Sequence, residues 1–305
     1  MVYNRDMSQD IFYWLRRYLE YLEIEKGRSV HTINAYERFI KRFIEHSGAS
    51  KPADIDYDKV REFRLWLNRQ PSNTGTLKKN TQNKYLIALR SFLKYLERQD
   101  VQTLAAAKIE LAKTSMREID IMTDKEFERL MEAPSKQTLE DTRDKAILEI
   151  LFSTGLRVSE LCSLNSDLDI DADEFTIRGK GEKLRIVFIS ETAREAVKKY
   201  LAVREQSKFP KLSDALFVMS TGARIYPRAV QRILDKRGKQ AGIMRDISPH
   251  GIRHYFATNL LKNGADIRSV QMMLGHASIN TTQVYTNISD TYLKEVHKKF
   301  HNKKV

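Results

Sequence analysis

The chain has 305 residues, 53 Lys and Arg against 40 Asp and Glu, a formal net charge of +13 and a pI near 9.6. A hydrophobic fraction of 41% excludes a wholly disordered chain, and twelve Gly with six Pro exclude collagen-like or low-complexity material. The lone cysteine, Cys162, excludes an intramolecular disulfide and a cysteine-cluster zinc site, and no apolar run approaches the ~20 residues of a membrane span.

From Ser8 to Gln99 the apolar spacing is helical throughout. Ser8 is a candidate cap for a helix with Ile11, Leu15, Tyr18 and Leu22 on one face, and Gly27 can end it. The acids among those apolar residues do not fit a signal peptide. Ser29 opens a second helix with Ile33, Tyr36, Ile40 and Phe43, followed by Gly48. A third starts near Asp56 with Val60, Phe63 and Leu67. The loop Pro71–Gly75 leads to a fourth with Tyr85, Leu89, Phe92 and Leu96. Four amphipathic helices on short loops make a bundle, assigned to residues 1–100.

The starts of the second and fourth helices are rich in donors: Arg28, His31, Thr32 and Asn34, then Lys78, Lys79, Asn80, Thr81, Gln82, Asn83 and Lys84. Free backbone N–H groups and the positive dipole end suit both stretches to phosphate. Arg28, His31, Lys78, Lys79, Asn83 and Lys84 are the candidate DNA contacts. Solvated, capped helix starts are the plainer alternative.

Residues 101–118 lack a strong stripe and read as an interdomain tether. A second domain opens at Thr123, where Thr123-x-x-Glu126 is a capping-box signal before Phe127 and Leu130. It is mixed. A helix over about 139–154 closes at Gly155, and a hairpin follows from Glu174–Arg178 and Lys183–Ser190 around Gly179-Lys180-Gly181-Glu182. Helices follow over about 192–206 and 227–241, with the short apolar run Ala215–Met219 between them. Pro249–Lys262, Asp266–Leu274 and Ser278–Ile288 are helical, and a lysine-rich tail helix begins at Asp290. The fold class is thus mainly α with a small β-sheet.

Four words in this domain carry chemistry. Thr154-Gly155-Leu156-Arg157-Val158-Ser159-Glu160-Leu161 sets an Arg just past a helix-ending Gly. Lys180 sits between two glycines at the hairpin tip. In Ser248-Pro249-His250-Gly251-Ile252-Arg253-His254, Ser and Pro fix a helix start and place His250 and Arg253 on one face. Leu274-Gly275-His276-Ala277-Ser278 puts a His after another helix-ending Gly, and Tyr285 follows nine residues later. Taken singly, each has a structural reading: Arg157 in an ion pair, Lys180 as a solvated turn residue, His250 capping its helix, Arg253 beside an acid, Tyr285 in a core.

Together, Arg157, Lys180, His250, Arg253, His276 and Tyr285 resemble the tyrosine recombinase (integrase) family, whose pattern is Arg, a hairpin Lys, His-x-x-Arg, a His or Trp and a Tyr nucleophile. The resemblance covers nearly the whole chain. It lies nearest the compact Xer-type members, since the chain starts almost at the first bundle helix and leaves no room for an arm-binding domain. It implies a helical core-binding domain over 1–100, a linker over 101–118, a mixed α/β catalytic domain over 119–289 and a tail helix over 290–305 for contact with a neighbouring subunit.

The implied activity is site-specific recombination through a 3′-phosphotyrosine and a Holliday junction, with no ATP, metal or other cofactor. Arg157 and Arg253 would stabilise charge on the phosphate. His250 and His276 would bind phosphate or move protons, Lys180 would protonate the departing 5′ oxygen, and Tyr285 would attack. The implied partners are double-stranded DNA and further copies of the chain, as a tetramer on two sites. A second recombinase or a DNA translocase stays open. A cytoplasmic, nucleoid-associated location follows from the same reading, and the surplus of positive charge suits a polyanion. A type IB topoisomerase-like enzyme and a non-catalytic DNA-binding protein of the same fold are the alternatives.

Overall fold

The computed structural model describes residues 10–72, 75–114, 122–179, 184–207 and 213–275. The chain divides into two compact units, Met1–Glu118 and Ile119–Val305. Ser8, Lys180, His276, Tyr285, the expected helix Ser278–Ile288 and the tail from Asp290 lie outside the described residues.

The first unit is built from α1 (Ile11–Ile24), α2 (Val30–Ser47), α3 (Tyr57–Arg69) and α4 (Lys79–Arg98). Their stripes meet as the spacing requires: Ile11, Leu15, Tyr18, Leu22, Ile40, Phe43, Val60, Phe63, Leu67, Leu89, Phe92 and Leu96 are all buried. Ring packing holds the centre, with Tyr18 and Phe92 centroids 5.4 Å apart and Phe43 edge-on to Phe63 at 5.2 Å. The cap of α1 is Asp10, whose carboxylate accepts the Phe12 N–H at 2.8 Å. Ser29 precedes α2 as expected, but its hydroxyl pairs with that of Thr32 at 3.0 Å and takes no backbone N–H. The expected loop after Pro71 contains a minimal antiparallel pair, β1 (Pro71–Ser72) and β2 (Gly75–Thr76).

The segment from Val101, expected to be a tether, packs on this bundle over its first dozen residues. Leu104, Ala106 and Ile109 are buried in the bundle core, around a short 3₁₀ turn at Ala106–Lys108. Two polar clasps hold it: Glu97 accepts the Ala106 N–H at 2.6 Å, and Asn83 both donates to Ala112 O (2.9 Å) and accepts Ala112 N–H (3.0 Å). Apolar residues at irregular spacing form no stripe, so the sequence pattern does not reveal this burial.

The second unit contains α5 (Asp124–Glu132), α6 (Leu139–Thr154), α7 (Val158–Ser163), the hairpin β3 (Glu174–Arg178) and β4 (Leu184–Phe188), then α8 (Glu191–Glu205), α9 (Pro227–Gln240), α10 (Pro249–Lys262) and α11 (Ile267–Leu274). The capping box forms at α5: Glu126 N–H donates to Thr123 Oγ1 at 3.3 Å, and Thr123 N–H to Glu126 Oε2 at 2.9 Å. Helix α6 is buried nearly all round and packs on α8 and α10. In the hairpin Glu174 faces Phe188 and Ile177 faces Arg185. Alternation sends Phe175, Ile177 and Val187 inward and Leu184, Ile186 and Phe188 outward. Ala215–Val218 is buried and bridged to Asn165 and Arg224.

Buried charge ties α6 to α9. Arg237, 1% exposed, donates to Asp144 and Asp141 at 2.6–2.8 Å, and Arg143 takes the other Asp144 oxygen at 2.8 Å. Burial acts to raise the Asp141 carboxyl, but the Lys136 N–H and the Arg237 guanidinium outweigh it and hold the carboxyl below its ordinary value.

Candidate active site

The site begins with the end of α6. Leu151 O accepts the N–H of Gly155, which takes a left-handed turn at φ +59°. A Cβ there would lie 2.5 Å from the Phe256 ring, so both the backbone and the space require glycine. The turn delivers Arg157 to the start of α7.

Arg157 is half-buried and locked to Glu160. Its N–H donates to Glu160 Oε2 at 2.7 Å and its Nη1 to Oε1 at 2.9 Å. Arg185 on β4 approaches the same carboxylate with both terminal nitrogens, each at 2.8 Å. Glu160 is buried, which disfavours its charge. The Arg185 hydrogen bonds and the Arg157 N–H nevertheless keep its carboxyl below the usual range. The anion holds two guanidinium groups in fixed orientation.

At the start of α10, Ser248 caps the helix by accepting the Gly251 N–H at 3.0 Å, and Pro249 occupies the first turn. The cap is therefore Ser248 and not His250. Arg253, one turn on, is buried and donates to the carbonyls of Gly155 and Leu274. Arg157 Nη2 donates to the next carbonyl, Gly275 O, at 3.2 Å. Gly275 ends α11 at φ +62°, and a Cβ there would come within 3.0 Å of Arg185.

Arg157 and Arg253, 96 residues apart in sequence, thus meet on two consecutive carbonyls, and Arg185 closes over the same turn. The chain leaves that turn directly into His276. His250 is exposed on α10 one turn before His254, with the two Nε2 atoms 2.8 Å apart. The residue as a whole is exposed, but its ring has lost part of its water, and this desolvation, followed by the charge of Arg253, lowers its pKa from the ordinary imidazole value, which favours the neutral form.

The ion-pair reading of Arg157 is therefore correct in itself, since Glu160 is its partner. Arg253 takes carbonyls in place of the expected acid. Cys162 is buried, and burial pushes its thiol up to about 11, which makes it a poor nucleophile at neutral pH. Among the described residues no group of three or more His, Cys, Asp or Glu side chains gathers as a metal would need, and no helix is long and apolar enough to cross a membrane.

Two site residues escape the sequence reading. Glu160 carried a signal, because Arg157-x-x-Glu160 has capping-box spacing. Arg185 carried none beyond its place on a strand. Of the candidate DNA contacts, Arg28, His31, Lys78, Lys79 and Lys84 are exposed at the starts of α2 and α4. Asn83 is not available in the same way, since both ends of its amide are bonded to Ala112.

Known proteins are similar to this chain over both units. Residues 120–291 match the phage integrase family, and residues 15–100 match the phage integrase N-terminal SAM-like domain. A tyrosine recombinase XerC of Thermodesulfovibrio yellowstonii is 37% identical over 295 residues, covering 95% of this chain and 96% of that protein. The crystal structure of XerA recombinase aligns at a TM-score of 0.55 with 32% identity, covering 96% of this chain and 99% of that one. XerH site-specific recombinase, in a post-cleavage complex with a palindromic difH substrate, shares the fold at a TM-score of 0.68 and 24% identity, covering 94% of this chain and 84% of that one. With both units matched and relatives aligned nearly end to end, the chain belongs to the phage integrase family and is a tyrosine recombinase.

Proposed function

We propose that this recombinase cleaves a DNA strand by attack of the Tyr285 hydroxyl on a backbone phosphorus. The phenolic oxygen bonds to phosphorus as the bond to the 5′ oxygen breaks. His250 takes the phenolic proton, and Lys180 gives one to the departing oxygen. A phenol has an ordinary pKa near ~10, so it must lose its proton as it attacks. Neutral His250 is suited to accept it. Arg157 and Arg253 stabilise charge gathering on the non-bridging oxygens, with His276 as a further phosphate ligand. The product is a 3′-phosphotyrosine and a free 5′-hydroxyl. That bond keeps the phosphodiester's energy, so a 5′-hydroxyl from a partner strand reverses the attack and builds a Holliday junction.

The observation carrying this reading is the meeting of Arg157 and Arg253 on the Leu274 and Gly275 carbonyls, just ahead of His276 and Tyr285 in the sequence. A phosphate would compete with those carbonyls for the guanidinium donors. Double-stranded DNA is the partner, held in the first unit by Arg28, His31, Lys78, Lys79 and Lys84. The place of work is the nucleoid.

The working assembly is a tetramer in which the tail over 290–305 of one copy docks on the next. Leu184, Ile186 and Phe188 support this: they leave an apolar strand face beside Met272, with exposures of 66%, 52%, 52% and 77%. In the thirty residues after Gly275, Tyr292, Leu293, Val296 and Phe300 recur at the spacing of an apolar helical stripe.

Covalent trapping in cells maps the cleaved sites. A nicked duplex carrying a mapped site then gives the test. Wild type accumulates a covalent protein–DNA adduct, and Tyr285→Phe binds the same duplex and forms none. An adduct with Tyr285→Phe would overturn the assignment. Efficient relaxation of a supercoiled plasmid lacking any mapped site would instead favour topoisomerase-like activity.

A further inference from the structure

His254 follows Arg253 directly and is half-buried on α10, one helical turn after His250. The two imidazoles form an edge-to-face pair with centroids 4.2 Å apart and Nε2 atoms at 2.8 Å. The distance is that of a hydrogen bond. A bond between two Nε2 atoms needs a hydrogen on one and a lone pair on the other. The rings therefore cannot both carry a hydrogen at Nε2, nor can both be bare there. The proton state of His250 at Nε2 is set against that of its neighbour.

The anchoring is asymmetric. His250 lies exposed in the first turn of α10, and its ring has a second nitrogen for a ligand. His254 lies deeper: the residue is half-buried and its Nδ1 is shielded from water. An exposed imidazole with free rotation about χ1 and χ2 gives up rotamer entropy each time it must act. A partner fixed one turn away removes that cost and selects one tautomer in advance, as an orienting group does for a functional histidine.

We propose that His254 is a positioning residue for strand cleavage: through its Nε2 it holds the His250 ring and fixes which of that ring's nitrogens carries the hydrogen. This rests on His250 taking part in cleavage, as proposed above. His254 touches neither the phosphate nor the tyrosine in this scheme, so its loss slows the chemical step and leaves DNA binding in place.

The test uses the full chain and the nicked duplex carrying a mapped site, with adduct formation followed in a single turnover and binding measured separately. His254→Phe keeps the ring volume and removes both nitrogens. His254→Gln returns a polar group near the Nε2 position, and His254→Asn returns one near Nδ1. We expect His254→Phe to slow adduct formation on the order of ten-fold or more, the scale for losing the partner of a functional imidazole, with binding within about two-fold of wild type. His254→Gln should recover most of the rate and His254→Asn should not.

Nitrogen NMR of histidine-labelled protein adds a signature that mere packing would not move. The His250 ring should show one tautomer in wild type and a mixture in His254→Phe. A wild-type rate in His254→Phe, rescue by Asn in place of Gln, rescue by neither, or an unchanged His250 tautomer would overturn the inference. His250→Ala separates the two claims. If His250→Ala cleaves like wild type, the role given to His250 fails. If it is slow while His254→Phe is normal, only the role of His254 fails.

Discussion

The amino-terminal bundle buries Ile11, Tyr18, Phe43, Phe63, Leu89 and Phe92 and, among the described residues, no charged side chain. The second unit buries Asp141, Arg143, Asp144, Glu149, Glu160, Arg237 and Arg253. Both units are mostly helical, yet they are held differently. The bundle rests on apolar area, which is forgiving because each contact is one of many. The catalytic unit adds charge taken out of water, which is tolerable only while every partner is present. In the proposed mechanism, guanidinium groups anchored on Glu160 and on backbone carbonyls are already gathered before DNA arrives, which limits what must be reorganised during the reaction. The catalytic unit gains that preorganisation at the cost of greater sensitivity to single substitutions.

The contrast is easy to probe, because both tryptophans, Trp14 and Trp66, lie in the first unit. Tryptophan emission reports the bundle, and far-ultraviolet circular dichroism reports both units. The largest effect should come from Asp144→Ala, which strips Arg237 and Arg143 of their shared carboxylate. Leaving such charge buried costs about 3–5 kcal/mol. The dichroism transition should split or move to lower denaturant while the tryptophan transition stays in place. Coincident movement of both signals would show that the units do not unfold separately.

Gly155→Ala should come next. It combines a left-handed φ with a Cβ 2.5 Å from Phe256, and we expect a loss of about 2 kcal/mol or more in the second unit. Adduct formation should fall further than stability alone explains, since the turn also carries Arg157.

Acid acts on the two units unequally. Arg185 and Arg157 overcome burial to depress the Glu160 carboxyl, and Lys136 and Arg237 do the same for Asp141. Carboxyls depressed in the folded state stabilise it above their unfolded values, near ~4. That contribution is lost as pH falls through the lower folded values. The second unit should therefore lose stability below about pH 4, ahead of the bundle. Glu160→Gln should be less stable at pH 7, and the gap between pH 7 and pH 3.5 should narrow. A gap as wide as wild type would remove Glu160 from the acid response.

The smallest effect belongs to the bundle surface. Lys79→Ala should leave both unfolding transitions unchanged and lower the salt slope of DNA binding by about one. An unchanged slope would show that Lys79 meets no phosphate.

These differences also set how far the sequence could be read. The bundle was legible because Ile11, Leu15, Tyr18 and Leu22 repeat at helical spacing and nothing else competes for them. In the second unit, Thr123-x-x-Glu126 and Ser248-Pro249 gave two helix starts correctly, since caps are local. The packing of the segment after Val101 was hidden because Leu104, Ala106 and Ile109 are buried by tertiary contacts with no period to betray it. The pairing of Asn83 with Ala112 was hidden for the same reason, as the partners lie 29 residues apart. The arginines of the site stood out in their motif words. What they hold did not, because the Leu274 and Gly275 carbonyls and the Arg185–Glu160 contact exist only once the chain has folded.

Strand cleavage through one phenol leaves a nucleotide on that phenol. Digestion of the trapped protein–DNA complex, with mass spectrometry of the nucleotide-bearing peptide, locates it. A single modified peptide is expected, with the 3′-phosphate ester on Tyr285. A modification on any other side chain, or cleaved DNA with no attached peptide, would contradict that route.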